Sequence, residues 1–333
     1  MTMTGPKVAV IGCGYWGKNL VRNFQQIGAL AMVCDPTPAG RKLAGELAPG
    51  VEIGDSLDAA LTRDDIAAVV VATPAETHRD LVLRALEAGK DVLVEKPLAL
   101  NYIEGQEMQA AAEARERILM VGHLLEYHSA VLRLRKLVDE KVLGRVNYIY
   151  SNRLNFGKVR VEENSLWSFA PHDIAVILRL VGELPIEVTC CGGNYISPNV
   201  EDVTVSCLHF RTGLRAHIFV NWLNPFKEQK LVVVGDDKMA VFNDVEPEEK
   251  LVLFNQRVKL EGGKPVLYNG DRTVVDLEKR EPLRQECEHF LECVRDRRAP
   301  LTDAAAGVRV LKVLQACQTS LQLNGRPVVM SEI

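Results

Sequence analysis

A β-branched run from Lys7 to Ile11 breaks at Gly12-Cys13-Gly14-Tyr15-Trp16-Gly17, and an apolar stripe of Trp16, Leu20, Phe24 and Ile27 at helical spacing follows. Strand, glycine-rich turn and helix in that order predict a βαβ unit that carries an anion at the helix N-terminus, where unpaired N–H groups converge. Each glycine answers a separate need. Gly12 turns the chain out of the strand, Gly14 lets a pyrophosphate approach the backbone, and Gly17 packs the helix close to the sheet. A second apolar run, Leu30 to Cys34, ends at Asp35. A carboxylate there accepts hydrogen bonds from the adenosine ribose and repels a 2′-phosphate, which predicts NAD as the cofactor in preference to NADP. Pro36, Thr37 and Pro38 follow the acid, and no Arg stands there to take a phosphate. An N-cap role for Asp35 on the next helix is compatible with ribose binding.

A chain of 333 residues is too long for one small core and predicts two domains, 1–124 for the dinucleotide and 125–333 for substrate binding and oligomerisation. Net charge of −4 supplies no basic field for nucleic acid or anionic lipid. The N-terminus lacks the pattern of a secretory signal, and no stretch is apolar enough to span a bilayer, so a cytoplasmic location is expected with no nucleic-acid or membrane partner. Eight cysteines lie in apolar runs without the paired spacing of a metal or redox site, and no metal is expected.

Short runs at Val8–Ile11, Leu30–Cys34, Ala67–Ala72, Asp91–Val94 and Ile118–Val121 alternate with helical patterns, predicting a doubly wound parallel sheet. Asn101 is the candidate N-cap of the helix running to Arg117. From about residue 145 the runs lengthen and alternate: Arg145–Arg153, Ile186–Tyr195, Val203–Phe210, Leu214–Trp222 and Leu231–Val234. With a hairpin at Arg211-Thr212-Gly213-Leu214, they predict an antiparallel sheet in an α+β domain. The segment Glu286–Leu323 reads as helix, interrupted near Pro300.

Chemistry is expected at the carboxyl ends of the parallel strands. Thr73, Pro74 and His78 lie at one such end, and Glu95-Lys96-Pro97 at the next. Burial beside a cationic nicotinamide lowers the pKa of a lysine, which suits Lys96 to proton exchange, while a solvated charged turn is the alternative. Pro97 makes a cis bond at Lys96 possible. In the second domain, Pro171 reads as the first residue of a helix that ends at Gly182. His172 then sits in the first turn, where the helix dipole favours the neutral imidazole that a general base requires. A capping histidine explains the same residues equally well.

Together the glycine loop, Asp35, Ala72-Thr73-Pro74 with His78, Glu95-Lys96-Pro97, a helix-opening His172 and the ending Phe290 to Ser320 resemble the glucose-fructose oxidoreductase/inositol dehydrogenase (Gfo/Idh/MocA) family over essentially the whole chain. The resemblance implies a Rossmann domain, a second domain with a large open sheet, hydride transfer at a sugar carbon, and a homodimer or homotetramer formed through that sheet. It implies catalytic roles for Lys96 and His172. Many members carry Asp four residues before the histidine, and this chain has Ser168 there. The stretch Asn164 to Asp173 resembles members from surface-polysaccharide nucleotide-sugar pathways.

The expectation is an NAD-dependent dehydrogenase of a sugar hydroxyl, on a nucleotide sugar or uronic acid, and the narrower resemblance implies UDP-N-acetylglucosaminuronate oxidised at its 3-hydroxyl. The cofactor set is Gly12, Gly14, Tyr15, Trp16, Gly17, Asp35, Thr73, Pro74, His78, Glu95 and Lys96. The substrate set is Lys96, Tyr127, Arg153, Asn155, Lys158, Arg160, Ser168 and His172, with the cations binding a carboxylate or diphosphate. Two other readings stand beside it. One is an enzyme that retains NAD and uses transient oxidation for elimination or glycoside cleavage, and the other is a non-catalytic NAD-sensing regulator.

Overall fold

The computed structural model describes residues 5–157 and 159–333. The chain forms two compact units, one running up to Tyr127 together with Arg280–Leu311, the other His128–Lys279 with Lys312–Ile333.

In the first unit β1 (Lys7–Ile11), β2 (Leu30–Cys34), β3 (Glu52–Gly54), β4 (Ile66–Val71), β5 (Asp91–Glu95) and β6 (Leu119–Gly122) alternate with α1 (Gly17–Ile27), α2 (Pro38–Leu47), α3 (Leu57–Leu61), α4 (His78–Glu87) and α5 (Tyr102–Ala114). All strand pairs are parallel, in the order β3-β2-β1-β4-β5-β6. Continuous burial of Val8, Ala9 and Val10 and of Ala68 to Val71 shows cover on both sheet faces, as a parallel sheet requires. The order reverses between β1 and β4, which puts the ligand crevice outside their carboxyl ends. Asn101 caps α5 as expected, its Oδ1 accepting from the Glu104 N–H at 2.9 Å. Only β3, three residues long, lacks a readable period in the sequence.

The second unit holds α6 (Ser129–Asp139), β7 (Val146–Phe156), α7 (Ser165–Val181), β8 (Glu187–Gly193), β9 (Val203–His209), β10 (Arg215–Asn221), β11 (Leu223–Gly235), β12 (Met239–Asn243), β13 (Leu251–Glu261) and β14 (Lys264–Val274). After it come α8 (Pro282–Asp296), α9 (Ala304–Gln322) and β15 (Val328–Val329). The strand order β14-β13-β12-β11-β7-β10-β9-β8-β15 is antiparallel except where β10 pairs β7. That pair is parallel because the chain passes through α7, β8 and β9 before returning beside β7. The β9–β10 hairpin forms at the expected turn, with Gly213 at φ 87°. The β13–β14 hairpin was not anticipated, yet Gly262 and Gly263, at φ 57° and 78°, mark it as a two-residue turn that needs positive φ at both positions.

The linear division at 124/125 assigns all the C-terminal helix to the second domain, whereas Arg280–Leu311 belongs to the first unit. Leu283, Cys287, Phe290 and Leu291 on α8 share one buried cluster with Val8, Val10, Leu20 and Phe24. Their stripe covers apolar surface near α1, and burial of that surface is what draws α8 to this core. The architecture is therefore α/β, with a parallel Rossmann sheet and a second, mainly antiparallel one. Among the described residues no helix is long and apolar enough to cross a membrane.

Candidate active site

The loop after β1 needs two of its glycines for internal reasons. A Cβ on Gly12, at φ 96°, would fall 2.6 Å from the Ala72 carbonyl oxygen, and one on Gly17 would fall 2.2 Å from that of Gly12. Gly14 differs: a Cβ there would have no protein atom within 4 Å. Only the third side of the loop is left open, which is the cradle a pyrophosphate requires.

Asp35, at the end of β2, is tied to this loop. Its carboxylate accepts from the Cys13 N–H at 2.7 Å, from the Thr37 N–H at 2.8 Å and from the Thr37 hydroxyl at 2.6 Å. Burial raises its pKa, but the Thr37 hydroxyl, the two N–H donors and Arg41 outweigh burial and hold the group below the ordinary 3.8. It is thus a fixed anion tied to the glycine loop. The N-cap of α2 is Thr37, whose hydroxyl accepts from Gly40 N–H, so Asp35 does not cap that helix. Cys13 is buried, and burial with the Asp35 charge raises its thiol pKa, which fits packing over reactivity.

Trp16 precedes α1 and does not join its stripe; its indole N–H donates to the Glu95 carboxylate at the end of β5. This bond links the glycine loop to the Glu95-Lys96-Pro97 turn, whose Lys96–Pro97 peptide is cis. Tyr15 is exposed beside the loop, its ring under the Lys18 ammonium. His78, expected against cofactor, is instead 1% exposed, with Nδ1 and Nε2 each 2.9 Å from the carbonyl oxygens of Pro97 and Thr73. It ties together the turns after β4 and β5. Thr73 bonds Thr77, which also donates to the exposed Pro74 carbonyl, and so stiffens the first of those turns.

In the second unit, α7 begins six residues before Pro171. Asn164 is the N-cap, accepting from the Trp167 N–H at 3.2 Å and donating to Glu201 and Gln318. His172 is therefore two turns inside the helix, beyond the reach of the N-terminal dipole, and the first-turn argument for a neutral imidazole fails. The sequence signal was Asn164; Pro171 mimics a start because its missing N–H is harmless at one. Ser168 stands one turn before His172, on the same helix face, and is buried.

Asp173, adjacent to His172, points to the sheet. It accepts from the Ser151 hydroxyl at 2.6 Å and takes Arg153 through both oxygens, at 2.8 and 3.1 Å. Arg153, expected to bind a substrate anion, is thus a buried structural cation; its charge partner lay on another element, invisible to local spacing. Arg160 pairs with Glu163 at 3.2 Å. Asn155, half-buried on β7, lies over Gly157. Lys158 lies outside the described residues. Tyr127, expected at substrate, is a core residue of the first unit, 3% exposed with its hydroxyl 3.0 Å from that of Thr302. No group of three or more metal-ligating side chains converges among the described residues.

Comparison with known proteins agrees with this geometry. Residues 6–123 match an oxidoreductase family with an NAD-binding Rossmann fold, and residues 131–241 match the Gfo/Idh/MocA C-terminal domain. A 2,7-anhydro-N-acetylneuraminate hydratase of Mediterraneibacter gnavus is 34% identical over 56% of this chain and 52% of its own. The chain thus spans about half the length of that relative. A UDP-N-acetylglucosamine 3-dehydrogenase of Acidithiobacillus ferrooxidans is 26% identical over 92% of this chain and 94% of its own. A solved structure of that dehydrogenase matches with a TM-score of 0.84 at 25% identity, covering 96% of this chain and 98% of the other. The two family matches take in most of the chain, and with the glycine loop and its acid they establish that it belongs to the Gfo/Idh/MocA family of oxidoreductases.

Proposed function

We propose that the chain is an NAD-dependent dehydrogenase that oxidises a hydroxyl on the sugar of a nucleotide sugar. The observation that carries this reading is the end-to-end likeness to a nucleotide-sugar 3-dehydrogenase, over 92% of this chain. When bound, NAD supplies the hydride acceptor. The open side of the loop at Gly14 would hold its pyrophosphate, and Asp35 its adenosine ribose. Lys96 and His172 are the acid–base groups, one taking the hydroxyl proton and the other holding the oxygen. With Arg153 bound to Asp173, an anionic substrate group must be met by other donors.

The cofactor preference has its own test. The pair Asp35→Ser and Pro36→Arg should weaken NAD and favour NADP, because it removes the fixed anion and adds a phosphate partner. A binding titration with unchanged preference would refute the ribose role. The substrate class is tested by comparing NADH formation with UDP-N-acetylglucosaminuronate, UDP-N-acetylglucosamine, glucose and inositol. The nucleotide sugars should exceed the free sugar and cyclitol by about tenfold or more in kcat/KM, the effect of about 1.4 kcal/mol of binding to the nucleotide. Faster turnover of inositol or glucose would reject the nucleotide-sugar assignment.

A second reading has one observation in its favour. The hydratase relative is 34% identical over the part it matches, and hydration needs no net oxidation. In that reading NAD stays bound and NADH does not accumulate.

A further inference from the structure

Beneath the turn that bears Lys96, the first unit buries several acids. Glu126, in the turn after β6, is 4% exposed and Glu286, on α8, is 1% exposed. Neither carboxyl oxygen of Glu286 has a hydrogen-bond partner. The Glu95 carboxyl lies against Gly122, where a Cβ would fall 3.1 Å from it. The next residue, His123, is 2% exposed and both ring nitrogens lack partners. Charge connects these groups. Glu95 and Glu126 both act on Glu286, Lys96 acts on Glu95 and on His123, and Tyr127 and Cys287 feel the same acids.

An ionised carboxylate with no donor is strongly disfavoured in a core, so Glu286 keeps its proton. Burial and the charges of Glu95 and Glu126 push it well above 4.5. Burial pushes Glu95 up to about 7, against the lowering effects of the Trp16 bond and Lys96. Burial, helped by Lys96, pushes His123 down to about 4, so it is neutral. Of Glu95, Glu286 and His123, Glu95 is the one that sits at the edge of ionisation. A dinucleotide held across the β1/β4 reversal with its adenosine at Asp35 would bring its nicotinamide toward the carboxyl ends of the neighbouring strands, β5 with Glu95 among them.

We propose that Glu95, set among Glu126, Glu286 and His123, is a proton-linked sensor of cofactor charge. It releases one proton to solvent when the cationic oxidised dinucleotide binds, and takes one back when the neutral reduced form replaces it. The proposal rests on the NAD reading above. A cation near the carboxyl would stabilise its ionised form, which burial keeps from prevailing beforehand.

The test is the ratio of NAD to NADH affinity of the full chain, measured by titration calorimetry across about pH 6 to 8. The ratio should rise with pH, approaching about tenfold per unit where one proton is exchanged. Glu95→Gln, which still accepts from Trp16, should flatten it. Lys96→Met should keep the rise and move it to higher pH, because the cation that lowers Glu95 is gone. Glu286→Gln should leave it in place, as a neutral group replaces a neutral group. A flat ratio in the native chain, a rise that survives Glu95→Gln, a rise lost in Lys96→Met, or a rise displaced by Glu286→Gln each overturns the proposal. Failure of either dinucleotide to bind rejects the NAD reading and this inference together, while tight binding with a flat ratio rejects the inference alone.

Discussion

Lys96→Ala and His172→Ala should each lower turnover by about two orders of magnitude or more, the usual size of a general acid–base contribution, while NADH binding survives. The two residues stand on separately built supports. Lys96 follows a carboxylate pinned by the Trp16 indole, in a turn whose Pro97 carbonyl is held by His78. His172 stands two turns inside a helix capped by Asn164, one turn after Ser168. Removal of either side chain leaves the glycine loop and Asp35 untouched, so cofactor affinity and turnover should separate. Steady-state kinetics paired with an NADH titration measures both, and full turnover in either variant removes that residue from the mechanism.

Asp173→Ala should destabilise the fold by about 3–5 kcal/mol, because it leaves a buried guanidinium without its counter-charge. The pair is deeply enclosed, with side chains 12% and 3% exposed for Arg153 and Asp173. Burial alone would lower the Arg153 pKa, and the Asp173 charge with its hydrogen bonds more than reverses that. The double substitution Arg153→Met with Asp173→Leu should recover most of the loss, since an apolar pair of similar volume is often as stable as a buried ion pair. Urea unfolding of the three variants measures it. A loss under about 1 kcal/mol for Asp173→Ala, the size expected of an exposed pair, contradicts this account.

The same pair shows where sequence reading ends. The Rossmann unit was legible because its signals are local: β-branched runs, glycine offsets and a terminal acid lie within a few dozen residues. The place of Glu95-Lys96-Pro97 at the end of its strand was legible because that motif is equally short and local. Arg153 was misplaced because its partner is twenty positions away on another element. The start of α7 was misread because the strong first-turn signature of Pro171 outweighed the cap signal of Asn164, whose side chain accepts from the Trp167 N–H. His78 and Tyr127 sit in motifs that border the site, yet their ring atoms serve backbone carbonyls and the core. Burial of that kind depends on packing, which no spacing rule encodes. Glu286 gave no signal at all, as a single acid on an amphipathic helix reads as solvated until α8 is seen to pack against the turn of Glu126 and Tyr127.

The central claim is net oxidation of a nucleotide sugar, and the most direct test is the amount of NADH formed per protein molecule when excess NAD and UDP-N-acetylglucosamine or its uronate are supplied. NADH should accumulate far beyond the protein concentration, in equal amount to the oxidised sugar. Sugar consumed while NADH never exceeds the amount of protein would contradict it and favour transient oxidation with retained cofactor.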